Sequence, residues 1–313
     1  MLDVLAVISP IFVLIALGYL GGRVGWLPAE AASGLAAFSF NLAIPAMLFR
    51  SMVVADLPAS EPYRIWGSYF GAALGTWLVA TILTAIYLRR PAADGVPISM
   101  SAGFANVVMI GIPLCLVAFG PQAAGTSAII VALHSPLLWL IASLHLLLAG
   151  SDRGISLAGA ATQLFRDIAG NTIILAIIAG LLWRQTGLGL HPQIDQIVDM
   201  LAKAAIPSAL VSLGLSLVGF RIAGQLPTLS LIVALKLVLM PLCAWYLASE
   251  VFELPALEVG VITIFAAMPT GANAYLFAAK HGRATNSASG AVALGTLLSI
   301  ATAAATIYFL DVR

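Results

Sequence analysis

With 313 residues, 61% of them hydrophobic and 9% charged, and a mean hydropathy of +1.06, the chain cannot be a soluble domain, in which about a quarter of residues are charged. It is a polytopic membrane protein by composition, and a net charge of +1 with no basic patch or stripe gives no case for a nucleic-acid partner. Cys115 and Cys243 both fall in apolar runs and read as small buried hydrophobes rather than a disulfide.

A window of about 20 residues, the length that crosses a ~30 Å hydrocarbon core, predicts ten spans. They run over 4–22, 32–50, 64–88, 97–119, 122–149, 164–184, 198–219, 227–250, 256–280 and 286–310. The N-terminus lacks a basic n-region and a small-residue cleavage site, so the first span is expected to be retained. Loops after odd-numbered spans hold Arg23, Arg89, Arg90, Arg153, Arg166, Arg221, Lys280 and Arg283. The other side holds Arg50, Arg64, Arg184, Lys203 and Arg313, with most of the acids, Asp3, Asp56, Glu258 and Asp311 among them. The positive-inside rule then places the odd-span loops in the cytoplasm and both termini outside.

Span four is apolar enough to cross a membrane, yet Asn106, Gly111 and Pro113 crowd its middle. Each opposes a plain helix: an amide in hydrocarbon, a residue without a side chain, and a residue without a backbone donor. Span nine repeats the device with Pro269, Gly271 and Asn273. Opened backbone at membrane depth is tolerated only where it is buried in protein or lines a cavity. Breaks are expected at Gly111–Pro113 and at Met268–Gly271, each starting a half-helix whose free N–H groups and dipole favour an anion. Asn106 and Asn273 would add neutral amides, and Thr270 and Tyr275 hydroxyls.

An internal repeat organises these breaks. Ala43-Ile44-Pro45-Ala46-Met47-Leu48 returns as Ala205-Ile206-Pro207-Ser208-Ala209-Leu210 at an offset of 162, which also carries Gly18 onto Gly180 and Gly25 onto Gly187. Pro113 and Pro269 pair at 156, with a loop deletion to account for the difference. The chain thus divides into five-span units over 1–150 and 160–313. An odd number of crossings inverts the second unit, the pattern of secondary transporters with a site at the midplane. Asn41 and Pro45 in span two and Pro207 and Ser208 in span seven either line that cavity or shape a subunit interface.

Ionisable residues inside spans are functional candidates by default. His134 in span five is a proton relay or a neutral hydrogen-bonding core residue. Lys236 in span eight attracts an anionic substrate or pairs with an acid such as Asp3. Lys280 and His281 are expected to snorkel to the cytoplasmic face. No Asp or Glu sits mid-span, so strict sodium coupling is unsupported, although carbonyls at an unwound helix could still supply a sodium site. Zinc-helix, phosphate-loop and paired-aspartate signatures are absent, so neither an enzyme nor a metal or other cofactor is expected.

The run Asn106-Val107-Val108-Met109-Ile110-Gly111-Ile112-Pro113 resembles the Asn…Gly-x-Pro signature of the auxin efflux carrier family. Asn41-Leu42-Ala43-Ile44-Pro45, Ile206-Pro207 and Pro269-Thr270-Gly271-Ala272-Asn273-Ala274-Tyr275 agree with it along the full length. The short loop after span five suits the bacterial branch, whose members are often labelled malonate or organic-acid transporters. The resemblance implies two inverted five-helix repeats whose helices four and nine cross at Pro113 and Pro269. It also implies a scaffold of helices 1, 2, 6 and 7, a moving bundle of the other six, and a homodimer through the scaffold. Asn106, Gly111, Ile112, Pro113, Pro269, Thr270 and Asn273 would then bind a small organic anion, with protons as a candidate coupling ion. Val108 stands where the family often has a second glycine. A sodium-coupled carrier of the bile-acid symporter type and a non-transporting receptor for a small anion are the alternatives.

Overall fold

The computed structural model describes residues 2–54, 58–150, 157–222 and 225–310. Asp56, Arg153, Asp311 and Arg313, and the side chain of Asp3, lie outside the described residues. All regular structure among the described residues is helical, apart from one isolated antiparallel bridge between Ala105 and Thr270. In chain order the helices are α1 (Leu2–Val24), α2 (Glu30–Val54), α3 (Pro62–Ile86), α4 (Ala92–Gly103) and α5 (Val107–Phe119). There follow α6 (Ala123–Leu148), α7 (Leu157–Ala169), α8 (Thr172–Gln185), α9 (Pro192–Leu217) and α10 (Leu226–Val251). The last three are α11 (Ala256–Ala267), α12 (Ala272–His281) and α13 (Thr285–Phe309). Seven of these, α1 (from Ala6), α2, α3, α6, α9, α10 and α13, are each long and apolar enough to cross a membrane alone.

Three expected spans are interrupted. The fourth is divided between α4 and α5 and the ninth between α11 and α12. The sixth, expected over 164–184, is also two helices, because α7 ends before Gly170 and Asn171 starts α8 afresh. The Asn171 Oδ1 accepts from the N–H groups of Ile173 and Ile174 at 3.0 and 3.3 Å, satisfying two donors a new helix leaves open.

Pro113 does not cut its helix where the sequence suggested. Pro45, Pro113 and Pro241 each follow a short stretch of π-helix, at Ser39–Ala43, Val107–Gly111 and Leu235–Leu239. In each case the residue just before the proline bonds five residues back: Ile44 to Ser39, Ile112 to Val107, Met240 to Leu235. A proline lacks the N–H for the ordinary bond, and its ring presses on the carbonyl four residues earlier. Widening one turn makes room for the ring and keeps the helix running. Gly111–Pro113 is therefore helical, and the first break lies upstream at Phe104–Asn106. The second break, at Met268–Gly271, is where it was expected. The pairing of Pro113 with Pro269 also fails: α4 and α11 coincide at an offset of 164, which matches Pro269 with Ala105.

The helices α1, α2, α8 and α9 pack closely on one another. A Cβ on Gly18 would stand 2.2 Å from the Val211 carbonyl oxygen, and one on Gly214 only 1.9 Å from that of Ile15, so α1 and α9 meet backbone to backbone. Gly180 does the same for α8 against α2, 2.7 Å from the Phe49 oxygen. Gly18 and Gly180 are 162 apart, and so are their partners Phe49 and Val211. At the ends of α1 and α8, Gly25 and Gly187 repeat this spacing and both take left-handed conformations, φ 85° and 68°. Asn41 and Pro207 are exposed on the outer side of this group, whereas Pro45 is buried in it. The remaining long helices surround the two breaks.

Glycine contacts of this kind leave no slack. Gly214→Ala is expected to cost about 1–3 kcal/mol, as overpacking does, and to lower the melting temperature of the detergent-solubilised protein. Gly34→Ala, where no atom lies within 4 Å, serves as the control and should melt no lower than wild type. Equal melting of the two variants would refute the close approach.

Candidate functional site at the crossing of the broken helices

The two breaks meet as a short antiparallel pair. The Asn106 N–H donates to the Pro269 carbonyl at 2.8 Å, and the Gly271 N–H donates to the Phe104 carbonyl at 3.0 Å. Close approach requires glycine at 271, where a Cβ would lie 2.9 Å from the Phe104 ring and 3.1 Å from the Ala105 oxygen. Pro269, which has no N–H to offer, presents only its carbonyl to the pair. Gly111 is a second close contact, a built Cβ lying 3.1 Å from the Phe265 ring, and Ile112 and Pro113 are buried behind it.

Other carbonyls opened by the breaks are capped by side chains from neighbouring helices. His134 Nε2 lies 2.9 Å from the Ala105 carbonyl oxygen. A carbonyl can only accept, so Nε2 carries the proton; in the neutral ring Nδ1 then accepts from the Tyr69 hydroxyl at 3.2 Å. Phe104 packs edge-on to the same imidazole with ring centroids 4.4 Å apart. At the second break Lys236 Nζ donates to the Ala266 carbonyl at 2.6 Å and rests 3.1 Å from the Met240 sulfur. The Thr270 hydroxyl donates to the Ser101 carbonyl at 2.8 Å, tying one break to the helix that ends at the other. Of the alternatives open at His134, the hydrogen-bonding core residue agrees with this geometry. Lys236 has no carboxylate partner among the described residues.

Both α5 and α12 begin at this crossing, so their positive dipole ends lie there together. Asn106 is the N-cap of α5, its Oδ1 accepting from the Met109 N–H at 3.4 Å. Its Nδ2 is buried with no hydrogen-bond partner, in a residue only 7% exposed. A buried amide without a partner costs roughly 1–3 kcal/mol, so an unused donor here is a place for an acceptor. Asn273 is half-buried in the first turn of α12. The Tyr275 ring turns to a contact with Phe220, centroids 5.0 Å apart, and the Ser208 hydroxyl accepts from Ser39 at 2.9 Å.

Tyr69, which fixes the His134 ring, carried no signal of its own, being one aromatic among many in apolar runs. Glu258, assigned to an outer loop, is 2% exposed in the first turn of α11, where its Oε1 accepts from the Ser60 N–H at 3.2 Å. Among the described residues no group of His, Cys, Asp and Glu side chains is placed to hold a metal ion.

The capping roles separate by substitution. His134→Leu strands the Ala105 carbonyl and is expected to cost about 1–3 kcal/mol of stability, read as a lowered melting temperature in detergent. His134→Gln, which keeps a donor on a side chain of similar reach, should recover part of the loss. If the two variants melt alike, the hydrogen bond to Ala105 is not what the histidine contributes.

The model of the family described as "Membrane transport protein" matches this chain over residues 3–160 and 156–307. A protein of Rhizobium meliloti (strain 1021) named "Putative malonate transporter" is 29% identical over 317 residues, covering 99% of this chain and 97% of its own length. An "Uncharacterized transporter" of Methanothermobacter thermautotrophicus is 25% identical over 294 residues, with 93% of each chain covered. The chain belongs to the membrane transport protein family, the auxin efflux carrier type of its bacterial branch.

Proposed function

We propose that this chain is a secondary transporter that moves a small organic anion, a carboxylate of the malonate class, through the crossing of α4–α5 and α11–α12. The observation that carries the reading is the crossing itself. Two half-helix N-termini converge on a buried Asn106 amide whose N–H donors are unused, in a site with no carboxylate among the described residues to repel an anion. Helix dipoles and amides would hold the negative group without a dedicated Arg or Lys, as they do where broken helices bind substrate carboxylates in other carriers. The malonate in the name of the Rhizobium relative supports the substrate class.

Ten crossings in two inverted units accommodate the helices, with α4–α5, α7–α8 and α11–α12 each counted as one. The 162-residue spacing of the Gly18 and Gly180 contacts supports the inversion. Orientation follows the positive-inside reading, with both termini on the outer side of a bacterial inner membrane. Elevator motion of the crossing past a scaffold of α1, α2, α8 and α9 has a physical basis in the capping pattern. His134 lies on α6, Lys236 on α10, and Thr270 and Ser101 on the crossing helices themselves. The crossing could therefore travel with all of these bonds intact. Exposed Asn41 and Pro207 suit a scaffold face that pairs with a second copy.

Uptake of labelled malonate and other mono- and dicarboxylates into proteoliposomes, with and without proton and sodium gradients, tests the reading. Asn106→Ala and Asn273→Ala are expected to cut uptake about tenfold or more, one lost hydrogen bond to a charged group being enough for that factor. Pro113→Ala, seven residues from the break, should cost less than Asn106→Ala. Wild-type rates in Asn106→Ala for every carboxylate moved would dismiss the crossing as the site.

A further inference from the structure

Away from the crossing, a cavity of about 500 Å3 opens between α6, α7, the start of α8 and the far end of α12. Its charged groups are Arg166 of α7 and Lys280 of α12, with Trp139 and Ser135 from α6 and Gln163 and Asn171 from the α7–α8 side. Among the described residues no acidic side chain lines it and neither cation has a carboxylate partner; the side chain of Asp167, beside Arg166 in α7, lies outside them. The Lys280 ammonium is instead poised over the Trp139 ring, 5.6 Å from its centroid. Trp139 is held edge-on by Phe277 at 5.3 Å, so the ring is a fixed wall. The Asn171 Oδ1 is spent capping α8, which leaves its amide N–H groups as donors.

Two cations, the Asn171 amide N–H groups and an aromatic face form a chemistry that favours a carboxylate with a short hydrocarbon body. The cations also come from different walls. Arg166 lies on α7, which packs mainly on α6 and only lightly on α8, while Lys280 lies in the last turn of the half-helix that starts at Gly271 in the crossing. That helix has ten residues, so it spans about 15 Å between cavity and crossing.

We propose that this cavity is a capture site for a small carboxylate, held between Arg166 and Lys280 against Trp139 on its way to or from the crossing. The capture role rests on the transport reading above; the binding does not. Without an anion, the like charges of Arg166 and Lys280 oppose approach of the two walls. A carboxylate between them removes that opposition, so occupancy favours closure of the cavity and couples binding to movement of α12.

The test uses the full chain with malonate as probe and malonamide, its uncharged isostere, as control. In proteoliposomes, Arg166→Gln and Lys280→Gln are each expected to raise the KM for malonate about tenfold, the loss of one charge-assisted contact, with the maximal rate retained. Asn106→Ala should lower the rate instead. Binding is read separately from the emission of Trp139, taken as the difference between wild type and Trp139→Phe. Malonate should change that difference by drawing Lys280 off the ring, malonamide should not, and both glutamine variants should abolish the response. If wild type shows the emission change but no uptake, the transport reading fails and the binding site stands. Absence of a malonate-dependent change in wild type, an equal response to malonamide, or wild-type KM and emission in both variants would overturn the proposal.

Discussion

A backbone N–H or C=O group in hydrocarbon must find a partner inside the protein, and the rest of this molecule depends on how that demand is met at two broken helices. The breaks answer part of it for each other, through the bonds Asn106 to Pro269 and Gly271 to Phe104. What they leave over is met by His134, Lys236 and Thr270. The two ionisable groups buried closest to the crossing thus have structural work, as donors to the carbonyls of Ala105 and Ala266. Tyr69, Met240 and the ring of Phe104 are in place to hold those donors. Each is a group the surroundings must keep dry, and together they make the crossing a rigid knot inside a helical bundle.

Proline enters by a less direct route than its reputation as a helix breaker suggests. Pro113 and Pro241 leave their helices continuous and widen the turn just before them. At α5 that turn begins next to Asn106, whose carbonyl accepts from the Gly111 N–H five residues on at 3.1 Å. At α10 the widened turn contains Lys236 itself. In both helices the proline sets the angular position of a polar residue one to two turns upstream, and so aims a donor at the crossing. Pro269 alone sits in a break, where its missing N–H would have had no helical partner.

That distinction explains what could be read from the residues beforehand. Composition and the spacing of apolar runs were enough for an all-helical membrane protein, because length and hydropathy are local properties. The 162-residue spacing was legible in Gly18 and Gly180 because backbone contact between helices tolerates nothing larger at either place. The first break was placed seven residues too late, since a proline announces a disturbed turn without saying whether the helix opens or widens. Asn106, not Pro113, marks the opening, as an N-cap does. The division of the sixth span at Asn171 was missed because the apolar run over 164–184 is long enough to read as one helix, and a single asparagine within it does not announce that it caps a new one. His134 and Lys236 were visible as buried charges, but their partners are backbone carbonyls, and carbonyls leave no mark in a sequence.

The frame and the site differ in symmetry. Around α1, α2, α8 and α9 the close contacts obey a single spacing, so the two halves are held in equivalent ways. At the crossing the equivalence ends. One half-helix begins at Asn106, with a side-chain cap and a spare amide donor; the other begins at Gly271, with no side-chain cap. One freed carbonyl is capped by an imidazole and the other by an ammonium. An acceptor placed between the two helix ends would therefore meet a side-chain donor from α5 and, from α12, backbone N–H groups with Asn273 one residue inside the turn. The two helix ends thus bring matching dipoles to the crossing, while unlike caps make those ends chemically distinct.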